Sequence, residues 1–125
     1  MTTIVRTIVF AAITALTMLV AVAARAQGNV AHGEQLYQGC QDCHSMDTND
    51  VGPMHKGVFG RKAGSVPDYG YSAALKNSGI EWTEANLDKW LAGPQDFIPG
   101  SKMFYHLDNA QDRADVIEYL KERAK

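Results

Sequence analysis

Cys40-Gln41-Asp42-Cys43-His44 concentrates the chemistry of this chain, and both cysteines of its 125 residues are spent there. Two thiols separated by two residues share one helical turn. Each can add to a vinyl group of one macrocycle, and the next residue offers an imidazole to a metal at its centre. Cys-x-x-Cys-His is the attachment signature of c-type haem, with the histidine as proximal ligand. The same two cysteines could otherwise form half of a zinc site or a thioredoxin-like redox pair. Zinc would need two more ligands at matching spacing, and beyond the motif only His32, His55 and His106 remain, scattered singly. A redox pair of the thioredoxin type needs alternating strand and helix patterns around it. The chain has none.

The elements that must position the motif read as helices. Asn29 can cap a helix of about 30–42 that carries Leu36 and Tyr37 and leads into the cysteines. Gly33 inside it lowers helix propensity, so it either costs stability without return or permits the close approach of another helix. From Ser45 to Pro67 the chain is rich in Gly, Pro and polar residues, without a sustained period. So long an irregular stretch makes sense where it wraps a cofactor. Ser72–Ser78 reads as a short helix stopped by Gly79. Thr83 caps a helix of about 84–92 with Leu87, Trp90 and Leu91, ended by Gly93-Pro94. Residues 95–107 read as irregular. A last helix starts at Asn109 and runs to about Arg123, with Ala114, Val116, Ile117 and Leu120 as its buried stripe. No strand alternation occurs, so the fold class is all-α.

Ahead of this domain, Arg6, an apolar run over 7–24 and Ala24-Arg25-Ala26 read as a cleavable secretory signal over 1–26. Export to an oxidising compartment, the periplasm, follows. An uncleaved membrane anchor is the alternative, since the run approaches the length of a span. Residues 27–125 then form one small domain, whose missing apolar mass a buried haem would supply. Here ten Lys plus Arg face fourteen Asp plus Glu. That balance excludes a nucleic-acid binder.

Taken together, the motif and four further segments resemble the class I c-type cytochromes, mitochondrial cytochrome c and its periplasmic bacterial relatives among them. The segments are Val51-Gly52-Pro53, His55 to Gly64, Ser78 to Trp82 and Ile98-Pro99-Gly100-Ser101-Lys102-Met103, together with Cys40 to His44. The resemblance implies a cytochrome c fold, with several helices and long loops wrapped around one haem c bound through Cys40 and Cys43. It implies Met103 as the distal ligand opposite His44, a pairing that raises the reduction potential. Met46 and Met54 sit too near His44 to reach across the ring, and His106 takes no ligand role. The Pro53 carbonyl would accept the free ring N–H of His44, and Arg61, Tyr71 and Trp82 would hold the haem propionates. Gly33 and Tyr119 would meet where the first and last helices cross.

Departures from the mitochondrial pattern are informative too. Trp90 and Leu75 replace a Tyr and an Asn of the distal side. Gln35, Gly39, Gln95 and Asp96 occupy positions that hold lysines around the haem edge. The implied function is a soluble one-electron carrier. It would be monomeric, without small-molecule substrate, and would serve membrane-bound or periplasmic redox proteins.

Overall fold

The computed structural model describes residues 27–125, so the signal or anchor reading of 1–26 lies outside the described residues. Five α-helices follow in order: α1 (Val30–Tyr37), α2 (Ala73–Lys76), α3 (Glu84–Ala92), α4 (Pro94–Phe97) and α5 (Ala110–Arg123). Among the described residues there is no strand, and the only pairing of extended backbone is one antiparallel bridge between Lys62 and Glu81. No helix among them is long and apolar enough to cross a membrane.

Most helix starts are set by local chemistry. The side chains of Asn29, Ser72, Thr83 and Asn109 accept backbone N–H groups of the first turns of α1, α2, α3 and α5. Each cap satisfies a donor that the helix itself cannot. Three boundaries differ from the sequence reading. The first helix ends at Tyr37 and tightens into a 3₁₀ turn over Gln38–Cys40. The second helix is confined to Ala73–Lys76. Residues 95–107 are not wholly irregular, because Pro94 opens α4. Proline ends α3 by lacking an N–H, yet its fixed φ suits the first position of a new helix.

α1 packs chiefly on α5, and α3 on α5. The core collects Tyr37, Leu87, Trp90, Leu91, Val116, Ile117 and Leu120, with Val58, Ala63, Leu75, Trp82 and Ile98 from the loops and α2. Each such large aliphatic side chain contributes about 1.5–3 kcal/mol on burial. The buried stripe of α5 is Asp115, Val116, Ile117 and Leu120, and Ala114 lies only half-buried beside it.

Asp115 is 2% exposed, in an otherwise apolar face. Its Oδ1 accepts the Asn29 N–H at 2.7 Å and the Gln111 amide at 2.8 Å, while its Oδ2 lies 2.7 Å from His32 Nδ1. Asp112 stands at the edge of the same group, 4.0 Å from His32. Burial raises the Asp115 carboxyl, and the bonds from His32, Asn29 and Gln111 outweigh it, so the group lies below the ordinary carboxylate range. A carboxylate held low stabilises the fold above its unfolded value of about 3.9, and that contribution is lost as pH falls through the folded value. Asp115→Asn is expected to cost about 2–4 kcal/mol at neutral pH, because it leaves buried donors without their charge partner. The cost should shrink as pH falls through the lowered folded value of Asp115. Denaturant midpoints measured from pH 7 to pH 2 check this. Parallel curves for the two proteins would refute it.

Candidate functional site

The 3₁₀ turn after α1 sets the motif. His44 N–H and Cys43 N–H both donate to the Cys40 carbonyl, at 2.9 and 3.2 Å, so the five residues stay wound as one helical turn. Both cysteines are free thiols, Cys40 part-buried and Cys43 exposed. Burial pushes the Cys40 thiol up to about 11, with the charge of Cys43 adding to the effect. A thioredoxin-like pair needs the opposite, a nucleophile whose pKa is depressed. That reading fails on electrostatics as well as on sequence pattern.

His44 is held from its back. Its Nδ1 lies 2.7 Å from the Pro53 carbonyl oxygen. A carbonyl can only accept, so Nδ1 carries the proton and Nε2 keeps its lone pair. Burial lowers the His44 pKa, against opposing pulls from the Pro53 bond and from Asp50. The neutral, ligand-competent ring is therefore the form present at pH 7. Gly52 makes this geometry possible. A Cβ built there would stand 2.2 Å from His44 Cε1, while the Gly52 N–H bonds the Cys43 carbonyl at 2.7 Å. Backbone thus lies flat against the imidazole, which no larger residue permits.

A second histidine presses on the first. His55 stacks on His44 with ring centroids 4.1 Å apart and planes tilted by 21°. Its Nδ1 lies 2.9 Å from the Tyr37 hydroxyl, which is otherwise sealed in the core. Burial lowers the His55 pKa to about 3, with His44 and Arg61 pushing the same way. In the sequence His55 is one of three single histidines outside the motif, and nothing in residue type or spacing signals the stack.

Arg61 donates through Nη1 to the Lys56 carbonyl at 2.7 Å and through Nη2 to the Met54 carbonyl at 3.0 Å. Its Nε is buried with no hydrogen-bond partner. Tyr71 Oη accepts the Val66 N–H at 3.2 Å, which leaves the phenolic proton available to another acceptor. The charge of Arg61 reaches the Tyr71 hydroxyl, so the two groups stand near one another. Trp82 is 6% exposed, tilted against Trp90 at 5.3 Å. Met103, Cys40, Met46 and Tyr71 all pack against the same apolar core.

This donor set fits a covalently bound haem. Two unpaired thiols and an imidazole lone pair share one helical turn. An orphaned buried guanidinium N–H calls for an anion such as a propionate.

A family model described as Cytochrome c matches residues 30–124. The chain is 48% identical over 101 residues to cytochrome c2 of Rhodomicrobium vannielii, across 78% of this chain and 81% of that relative. It is 44% identical over 100 residues to cytochrome c of Sesamum indicum, across 76% and 90%. A solved structure, cytochrome cH from Methylobacterium extorquens, superposes with a TM-score of 0.75 at 43% identity. That match covers 77% of this chain and 100% of the other.

Proposed function

The chain belongs to the cytochrome c family, and on that premise we propose a periplasmic one-electron shuttle with His44 and Met103 as axial ligands. Membership makes it a haem-based electron carrier rather than an enzyme, with haem c bound covalently through Cys40 and Cys43. The bound group supplies the one-electron couple. The protein residues orient it, keep water away and set its potential.

The observation that carries the ligand reading is the 2.7 Å bond between His44 Nδ1 and the Pro53 carbonyl, which leaves Nε2 free as donor. Such a bond also strengthens the ligand. Thioether sulfur from Met103 favours the ferrous state, and burial adds to that, because ferric haem carries one more positive charge. Arg61 Nε, the Tyr71 hydroxyl and the Trp82 indole would hold the propionates as anions. With His44 and Met103 both holding the iron, no position would remain for oxygen or peroxide. A redox titration followed by visible spectra tests this. We expect a single reversible one-electron wave and a ferric methionine charge-transfer band that Met103→Ala abolishes. Absence of the band, or rapid carbon monoxide binding by the ferrous protein, would overturn it.

Residues 1–26 direct export and are removed, leaving a domain that begins at Gln27. The mass of the isolated protein separates cleavage from retention as an anchor.

Partners are redox proteins met at the face carrying Met103. Phe104 and Tyr105 stand out there at 74% and 43% exposed, and the Tyr105 hydroxyl lies beside Gly39. Of the positions considered above, only Lys102 is cationic, while Asp96 is acidic. Screening over about 10 Å at ordinary salt leaves local charges to do the steering. Docking then rests on apolar contact, and long-range attraction to an acidic partner is weak. Second-order rates measured against ionic strength with an acidic-faced partner should fall little as salt is added. A steep fall would reveal a cationic face and refute this.

A further inference from the structure

We propose that Gln95 is the positioning residue of the axial methionine, a clamp that sets how readily Met103 yields its place to an outside ligand. The inference rests on the His44/Met103 reading above. Gln95 sits in the single turn of α4, directly after Pro94. Its amide nitrogen lies 2.8 Å from the Ser101 carbonyl, 3.1 Å from Ser101 Oγ and 2.8 Å from the Met103 carbonyl. One side chain thereby gathers three acceptors from both ends of the Ser101–Met103 segment.

The segment needs such a fastening. Residues 102–106 make no backbone–backbone hydrogen bond among the described residues; the chain is next tied at Leu107, whose N–H donates to the Leu91 carbonyl at 2.8 Å. Upstream, the last such tie is the Ser101 N–H to the Ile98 carbonyl at 3.1 Å. Between these anchors the Met103 backbone is held by the Gln95 amide. Lys102 Nζ, bonded to the Gly70 carbonyl, adds an exposed second tie. Phe104, the next residue, is 74% exposed and adds little packing.

A methionine leaves its metal by local opening of its loop, and opening costs whatever holds the loop closed. Losing the donor of a part-buried amide cluster removes part of that cost. The opened form should become about tenfold more abundant, which corresponds to about 1.4 kcal/mol.

The test uses Gln95→Met, which keeps length and shape but donates nothing, and Gln95→Glu, which sets a carboxylate against the Ser101 and Met103 carbonyl oxygens. Imidazole is titrated into the ferric holo-protein, with the reduction potential measured alongside. Apparent imidazole affinity should rise about tenfold in Gln95→Met and further in Gln95→Glu, and the potential should fall. Gln111→Ala is the control. It removes a bond to Asp115 elsewhere in the fold, so it should lower denaturant stability without moving imidazole affinity. If Gln95→Met binds imidazole as the parent does, or Gln111→Ala shifts it equally, the clamp is refuted. Should the parent lack the ferric methionine band that Met103→Ala abolishes, the ligand reading itself fails, which is a separate result.

Discussion

A protein with both Cys40 and Cys43 changed to Ala is expected to carry no covalent haem and to be largely unfolded. The expectation has two parts. The first is chemical: these are the only cysteines, so no other thiol can form a thioether. The second is energetic. The ordered domain is small, and a chain of this size has little surplus of burial over conformational entropy. Its core includes Val58, Leu75 and Ile98, drawn from loops and from the four-residue helix α2. Helices this short do not stand without tertiary support. Much of the stretch between Ser45 and Pro67 is irregular, tied to the rest by a few backbone bonds, and a large apolar body beside it would supply much of its missing packing. Acid–acetone extraction and denaturing electrophoresis report covalent attachment, and far-ultraviolet circular dichroism reports helix content. Haem that stays with the double variant through extraction would overturn the attachment reading. Native helix content without haem would overturn the claim that the cofactor supplies the missing core.

How much of this was legible depends on whether a feature is local. Thr83 and Gly93 bracket α3 at the expected residues because a cap and a stop act within one turn. Asn109 fixes the start of α5 for the same reason. The end of α1 was overestimated. The hydrogen bonds from Cys43 and His44 to the Cys40 carbonyl continue a helical winding that is no longer a regular α-helix. Helix α4 escaped because Gly93-Pro94 reads as an end, and the same proline is also a good beginning. Asp115 escaped for another reason. A charged residue at its position reads as solvated, and only three donors brought from α1, its N-cap and α5 make burial tolerable. His55 and Gln95 belong to that class too. Their partners, His44 with Tyr37 and Ser101 with Met103, are set by tertiary structure rather than by any period in the chain.

The crossing of α1 and α5 yields the other large expected effect, from Gly33→Ala. In an isolated helix this change would stabilise by about 1 kcal/mol, since alanine is the best helix former and glycine among the poorest. Here a Cβ on Gly33 would stand 2.1 Å from the Asp115 carbonyl oxygen, 2.6 Å from its carbonyl carbon and 2.9 Å from Tyr119 Cβ. Two of these atoms are backbone, so no rotamer change relieves the clash. Helix α5 would have to move outward by roughly an ångström to restore ordinary contact. That shift pulls Asp115 from Asn29 and His32 and parts Tyr119 from Tyr37, whose rings lie 4.9 Å apart. Overpacking alone costs about 1–3 kcal/mol, and loosening the buried carboxylate adds about as much again. Together these exceed the helix-propensity gain, so a net loss of about 3 kcal/mol is expected, a large share of a typical 5–15 kcal/mol. Gly39→Ala provides the contrast, because its Cβ would meet only the end of the exposed Tyr105 side chain, with the hydroxyl nearest at 3.0 Å. That variant should stay within about 0.5 kcal/mol of the parent. Denaturant unfolding of the holo-proteins measures both. A Gly33→Ala midpoint equal to or above the parent's would show that α1 and α5 do not need the glycine to cross.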